Sequence, residues 1–261
     1  MTSSDAAIDY LPWDRYLTVI RHDTDRLLEV TSAHLDAAVP SCPGWTARDL
    51  LVHVAAVYLH KVEGMRIAAE PGSWPPADLD DSDPAFLLRQ ATGSLVGELR
   101  ARDPYEERYT WYDPDQTNGF WYRRMALEIA IHRVDGELAA AQATGEARVT
   151  QIDDDIALDG IDEFLRIFVG GSRADEGVRT EHPVDATVRI TSAGRSWTLR
   201  IDASAIDVEE ETEREVGAEI AGTPHDVYLW LWGRGPLEPL SIAGDDALAA
   251  ELRARFAETG D

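Results

Sequence analysis

The hydrophobic period changes once along this chain, and that change constrains the fold more than any other feature. In the first 145 residues apolar side chains return at helical intervals, as in Trp13, Leu17, Ile20, Leu27, Leu28 and Leu35. Beyond Gly145 one more amphipathic stretch, Ile152 to Val169, ends at Gly170-Gly171, and then period two takes over. Val184, Ala186, Val188 and Ile190 alternate, and so do Trp197, Leu199 and Ile201 after the turn Ser192-Ala193-Gly194-Arg195. A helical first half and an alternating second half predict an α+β chain of two parts.

Breakers and caps set the expected elements. A first helix is predicted from Leu11 to Leu35, and the turn Val39-Pro40-Ser41-Cys42-Pro43-Gly44-Trp45 follows it. Thr46 with Asp49 three residues later forms a capping-box pair for a helix from Ala47 to Ala69. Pro71, Pro75 and Pro76 end it and open an acidic loop, Asp78 to Asp83. Pro84 opens a third helix to Arg102, because proline at the first helical position lacks only an N–H that has no partner there. A fourth is predicted from Gly119 to Gln142. Four such helices predict an antiparallel four-helix bundle over residues 1–148. Residues 149–261 read as a small α+β domain with an antiparallel sheet. It would include a strand at Val216–Ala221, a helix capped by Thr223 and a last helix over Leu248–Phe256.

Composition narrows the function. The 261 residues carry 24 basic and 49 acidic side chains, a net charge of −25. That field repels phosphate backbones and anionic membrane surfaces, so neither nucleic acid nor membrane is an expected partner. With 44% hydrophobic residues the chain has a core to bury and is not a disordered acidic tract. No apolar run reaches a membrane span, and Met1 to Tyr10 lacks a basic leader. The single cysteine, Cys42, permits no internal disulfide, which suits a cytoplasmic location. Lys61 is the one lysine against 23 arginines, a bias expected of a high-GC genome.

Of seven histidines, His53 and His132 stand out, each in an apolar run in mid-helix. Glu128 and His132 are four apart and project from one helix face. If two helices of a bundle bring His53 beside them, the set is two imidazoles and one carboxylate. That is the composition of a catalytic zinc site with an open position, and Fe²⁺, Ni²⁺ and Mn²⁺ share its ligand preferences. The same spacing equally suits an ordinary hydrogen-bonded pair on a wet face. His60, on the His53 face, is a reserve ligand. Asp49 and Asp135 each lie about one turn from a ligand histidine and are candidates to hold its ring.

The wording of these segments adds a resemblance. Val39-Pro40-Ser41-Cys42-Pro43-Gly44-Trp45 running on to Asp49 and His53, with Glu128-Ile129-Ala130-Ile131-His132-Arg133-Val134-Asp135, resembles the mycothiol-dependent maleylpyruvate isomerase family. That family belongs to the DinB-like metal-binding four-helix bundles. Leu231-Trp232-Gly233-Arg234-Gly235-Pro236-Leu237 is similar to part of the sterol-carrier-like domain that follows the bundle there. The resemblance implies a divalent metal, zinc first, held by His53, Glu128 and His132. It also implies mycothiol as thiol cosubstrate and a small electrophile as the other partner.

Thiol chemistry fits such a site, since a metal favours the nucleophilic thiolate. Cys42 sits in a proline-rich turn with no neighbouring base, so it reads as structural and the reactive sulfur is expected from the cosubstrate. The thiolate would add to a cis-enone, in an isomerase, or displace a leaving group, in an S-transferase. The resemblance points to Arg234 as the catalytic arginine for an anionic substrate group; a cation at a helix C-terminus is the plainer account. Arg124 either faces the cavity or pairs with Glu128, which would compete with metal binding. Trp121 and Tyr122, in the loop entering the fourth helix, are expected to line the cosubstrate pocket. A metal-dependent hydrolase and a non-catalytic ligand-binding protein are the rival functions. Asp153-Asp154-Asp155 reads as helix N-terminal acids, and Glu209 to Glu213 as a solvated face.

Overall fold

The computed structural model describes residues 9–258 except 78, 80, 147–148, 171–180, 204 and 211. Most of Met1–Tyr10, Asp78 and Asp80 of the acidic loop, Gly171, and Glu211 of the acidic run therefore lie outside the described residues. The chain divides into two compact units, Met1–Thr150 and Gln151–Asp261.

The first unit holds α1 (Trp13–Thr31), α2 (Ala47–Ile67), α3 (Pro84–Arg100) and α4 (Asn118–Thr144). The helix α1 stops four residues short of the expected Leu35. Thr31 and Ser32 donate their hydroxyls back to the carbonyls of Leu27 and Leu28, which competes with helix continuation. The predicted box at the start of α2 is present. Thr46 N donates to Asp49 Oδ2 at 2.8 Å, and Asp49 N donates to Thr46 Oγ1. At α3, Asp83 accepts from Phe86 N at 2.9 Å ahead of Pro84.

The helix α1 packs chiefly on α4, and α2 chiefly on α3. Gly136 sits at a close approach of α1 to α4, where an added Cβ would lie 2.3 Å from Leu27 Cδ1. The helix α4 is buried on nearly every side, the mark of a central helix. Its charged residues are therefore in the interior and must be paired. At one end, buried Arg133 and Glu137 pair at 2.9 Å, and Arg26 of α1 donates to Glu137 at 2.9 Å.

The second unit begins with α5 (Asp154–Glu163), which widens into a π-helical turn over Phe164–Val169. Five strands follow among the described residues: β1 (Ala186–Ser192), β2 (Arg195–Ile201), β3 (Ile206–Glu210), β4 (Ala218–Gly222) and β5 (Ser241–Gly244). The helix α6 (Pro224–Leu231) precedes β5, and α7 (Ala247–Ala257) ends the unit. The sheet order is β3-β2-β1-β4-β5.

The sheet is mixed, which corrects the antiparallel expectation: β4 runs parallel to β1, with Val188 opposite Ala218. After the β1–β2–β3 meander the chain crosses back to the free side of β1. Alternation reports which face a residue takes but not which way a strand runs. The β1–β2 turn has positive φ at Ala193 (46°) and Gly194 (84°), the pair a tight hairpin requires. Val188, Ile190, Trp197, Leu199 and Ile220 are fully buried on the sheet, and Gly160 of α5 lies against the buried ring of Tyr228 in α6.

The described residues of the acidic run are exposed or half-exposed, and Glu210, at the end of edge strand β3, also binds Arg195 at 2.8 Å and Arg166 at 3.0 Å. Asp154 and Asp155 do occupy the first turn of α5.

Candidate metal centre

In the first unit α2 supplies His53, and α4 supplies Glu128 and His132. One ligand atom from each lies within 4.8 Å of the others. His132 Nε2 stands 3.1 Å from Glu128 Oε1, and His53 Nε2 stands 3.6 Å from the same oxygen. The two imidazole rings are 5.1 Å apart and nearly perpendicular. The side chains of His53, Glu128 and His132 are 26%, 13% and 10% exposed, so the cluster is sunken yet reachable from solvent.

The remaining atoms of the two α4 residues are occupied. Asp135 is fully buried, and its Oδ2 accepts from His132 Nδ1 at 2.9 Å. With Nδ1 bonded to Asp135, Nε2 is the ring atom left beside Glu128 and His53. Asp135 also accepts from the Ser41 hydroxyl, and Cys42 Sγ lies 3.8 Å from its Oδ2. The turn before α2 is thereby tied to α4. Backbone bonds of the turn hold that tie: Val39 N to Trp45 O at 2.9 Å and Ala47 N to Ala37 O at 2.8 Å.

Asp49, the other candidate for holding an imidazole, does not do so. Its carboxylate is taken by the N-terminus of α2, and the bonds to Thr46 hold its pKa below the usual range. Arg124, one turn before Glu128, donates to Glu128 Oε2. The pairing expected to compete with a metal instead claims one carboxylate oxygen and leaves Oε1 turned towards both histidines.

The electrostatics follow from these contacts. Burial disfavours the Glu128 carboxylate, but Arg124, His132 and His53 outweigh it and hold its pKa well below the ordinary value. Burial likewise opposes the imidazolium of His132, yet Glu128 and Asp135 push its pKa up to about 9. The donor set of two nitrogens and one carboxylate oxygen, within 4.8 Å of one another, fits a divalent cation such as zinc. A cation there would replace the His132 proton as the charge balancing Glu128.

Aromatic rings frame the cluster. Trp45 lies 4.7 Å from the His53 ring. Trp74, 54% exposed on the proline-rich loop, lies 6.1 Å from His53 and 5.3 Å from His60. Trp74 was not singled out by sequence; the one signal was a large aromatic set among prolines where a loop needs none. His60 is buried and does not join the three ligands. Its Nδ1 is 3.1 Å from Lys61 Nζ, and its Nε2 is 3.6 Å from Glu70 Oε1.

Trp121 and Tyr122 lie inside α4 and not in a loop before it, because the helix opens at Asn118. Trp121 is buried, with its Nε1 donating to the Tyr109 carbonyl at 2.9 Å and Lys61 Nζ 5.4 Å from its ring. Tyr122 turns elsewhere: its hydroxyl donates to Leu99 O at 2.9 Å, and its ring lies against Trp13. Arg234 belongs to the second unit, in the turn after α6. There it donates to the Trp232 carbonyl at 2.7 Å and sits over the Trp232 ring.

Comparison with known proteins agrees with this architecture. Residues 17–136 match the family described as "Mycothiol maleylpyruvate isomerase N-terminal domain", and residues 155–251 match "MDMPI C-terminal domain". Two solved structures share the fold, a mycothiol-dependent maleylpyruvate isomerase and a variant of it with one histidine changed to alanine. Each aligns with a TM-score of 0.55 at 14% identity, covering 89% of this chain and 93% of its own. No curated protein sequence matches the chain. No helix among the described residues is long and apolar enough to cross a membrane. Matched by family in both halves and by fold along most of its length, the chain belongs to the mycothiol-dependent maleylpyruvate isomerase family.

Proposed function

We propose that this chain is a divalent-metal-dependent enzyme that uses mycothiol to attack a small electrophile, as a cis–trans isomerase or an S-transferase. One observation carries the reading: His53, Glu128 and His132 each bring one ligand atom within 4.8 Å of the others, and their side chains keep partial access to solvent. Three protein ligands with a place left for a fourth are the arrangement of a catalytic site. The names of the two structural relatives, both mycothiol-dependent, support the choice of thiol.

When bound, the metal would supply the Lewis acidity that favours thiolate over thiol. The chain's own groups do the positioning. Asp135 fixes the tautomer of His132, and Arg124 fixes which oxygen Glu128 offers. Trp45 and Trp74 both lie near the His53 ring. Cys42 is a poor source of the sulfur, because its thiol is turned to the Asp135 carboxylate at 3.8 Å, a contact that ties the turn to α4.

In the isomerase form the thiolate sulfur adds to the β-carbon of a cis-enone. The C–S bond forms as the π pair moves through to the carbonyl oxygen. Rotation about the former double bond follows; the pair then returns, the C–S bond breaks and the thiolate leaves. In the transferase form the sulfur displaces a leaving group, which departs with its bonding pair. Arg234 is the residue proposed to meet an anionic substrate group, and Trp121 to line the cosubstrate pocket.

The test is metal content together with thiol-dependent turnover. Wild-type protein is expected to hold one equivalent of divalent metal and to act only with mycothiol, and His53→Ala and His132→Ala to lose both. Thiol-dependent turnover that survives the double substitution overturns the reading. Metal-dependent turnover without thiol would assign the site to activation of water.

A further inference from the structure

Lys61 is the one lysine of a chain with net charge −25, yet its side chain is half-buried. Among the described residues no carboxylate lies within 4.0 Å of its amine. Its neighbours are His60 Nδ1 at 3.1 Å and the face of Trp121 at 5.4 Å. Burial lowers its pKa, the more distant Glu70 and Glu128 act against that, and the Arg124 charge adds to the lowering. An ammonium has three donors. One is used by His60, and the ring of Trp121 satisfies a second only weakly. Burying a charge without a counter-charge is unfavourable, so this placement has no evident structural benefit.

Position supplies the explanation. Lys61 follows His53 by eight residues on α2, about 12 Å along the axis. Helical side chains lean towards the N-terminus, which carries its amine back towards His53. On α4, Trp121 precedes Glu128 by seven residues, so Lys61 and Trp121 lie on the same side of the ligand cluster. Trp74 joins the two ends, since its ring lies near both His53 and the His60 that holds the lysine. One half-open wall thus runs from the ligand cluster to the ammonium.

We infer that Lys61, seated on Trp121 and oriented by His60, receives a carboxylate of the electrophile and so selects anionic over neutral substrates. The inference rests on the proposed enzymatic reading, because it assumes that the reacting carbon lies at the histidine cluster. It makes Lys61 a specificity-determining residue of the first unit, separate from Arg234. The neutral His60 ring and its Glu70 partner fix the amine, so that the free donor is aimed before the ligand arrives.

Binding tests this without any turnover. Full-length wild-type protein is titrated with succinate, its dimethyl ester and inorganic phosphate, with tryptophan fluorescence and calorimetry as readouts. Succinate is expected to saturate and to perturb tryptophan emission, and Lys61→Met to weaken it roughly 10–100-fold, the range of a charge-assisted hydrogen bond. Lys61→Arg should retain most of the affinity, and the ester should bind weakly and equally to all three proteins. If Lys61→Met folds poorly, Lys61→Gln replaces it, with circular dichroism as the check. The inference is overturned by absence of saturable succinate binding, by affinity unchanged in both neutral variants, or by equal loss for the ester. Phosphate that outcompetes succinate at Lys61 overturns the assignment to a carboxylate. Failure of the enzymatic reading shows separately, as thiol-dependent turnover in the double histidine variant.

Discussion

Replacing Asp135 by Asn swaps one buried carboxylate oxygen for an amide and leaves the volume of the site unchanged. In the native protein three donors converge on this group: His132 Nδ1 at 2.9 Å, the Ser41 hydroxyl and the Cys42 thiol at 3.8 Å. If the amide nitrogen faces Nδ1, the imidazole must carry its proton on Nε2, and the lone pair turned towards Glu128 disappears. If the amide oxygen faces Nδ1, the tautomer survives but the charge that raises ring basicity is lost. Either way zinc affinity should fall about 10–100-fold, the usual loss when a ligand histidine loses its carboxylate. That corresponds to roughly 1.4–2.7 kcal/mol. Competition against a chromophoric chelator at fixed pH measures it directly. Asp49→Asn is the matched control, since Asp49 also lies about one turn from its histidine but serves the helix cap. It should lower stability by about 1 kcal/mol and leave zinc affinity within twofold. Equal affinities for Asp135→Asn and wild type, or equal losses in the two variants, would refute the assigned roles.

Three further outcomes follow from the packing and charge. In metal-free protein the His132 pKa is about 9, against roughly 6.5 in an unfolded chain. Its stabilisation is therefore fully present below pH ~6.5 and is lost as pH rises through ~9. The stability difference between wild type and His132→Gln, from urea titrations across that window, should shrink; a constant difference contradicts the ion cluster. Gly160→Ala would put a methyl 2.3 Å from Tyr228 Cζ on a fully buried ring. It should destabilise the second unit by about 1–3 kcal/mol, seen as a lower urea midpoint, and an unchanged midpoint would mean that α5 and α6 stand further apart. Ala193→Asn relieves a side chain held at φ 46° and should raise the unfolding free energy by about 1 kcal/mol, seen as a higher urea midpoint; a loss would argue against the tight turn.

Much of the fold was legible because its boundaries are written in short-range chemistry. Thr46 with Asp49, Asp83 with Pro84, and Thr223 ahead of Pro224 each start a helix where their hydrogen bonds allow. Strand direction was not legible, because β4 has the same alternation whether it runs parallel or antiparallel to β1. At the site, i, i+4 spacing gave Glu128 and His132 a shared face but did not separate Asp49 from Asp135. That distinction depends on Asp49 occupying the third position of α2, where its carboxylate reaches the backbone N–H of Thr46. Tyr122 looked equivalent to Trp121. One residue is about 100° around a helix, enough to send one ring towards Lys61 and the other towards Trp13. Lys61 was visible only as a compositional oddity. Its chemistry emerges when the α2 face that carries His53 is set against α4.

That single lysine has a practical corollary. Amine-reactive reagents usually label a protein at many exposed points, and their sites must be mapped. Here the chain offers one ε-amine, beside its α-amine. Acylation of that group therefore reads out as one mass increment on one peptide. Its rate follows the access of solvent and ligand to the space between His60 and Trp121. A footprint of that kind needs neither an engineered handle nor a known reaction. Any molecule that protects the peptide announces itself as an occupant of the wall beside the histidines.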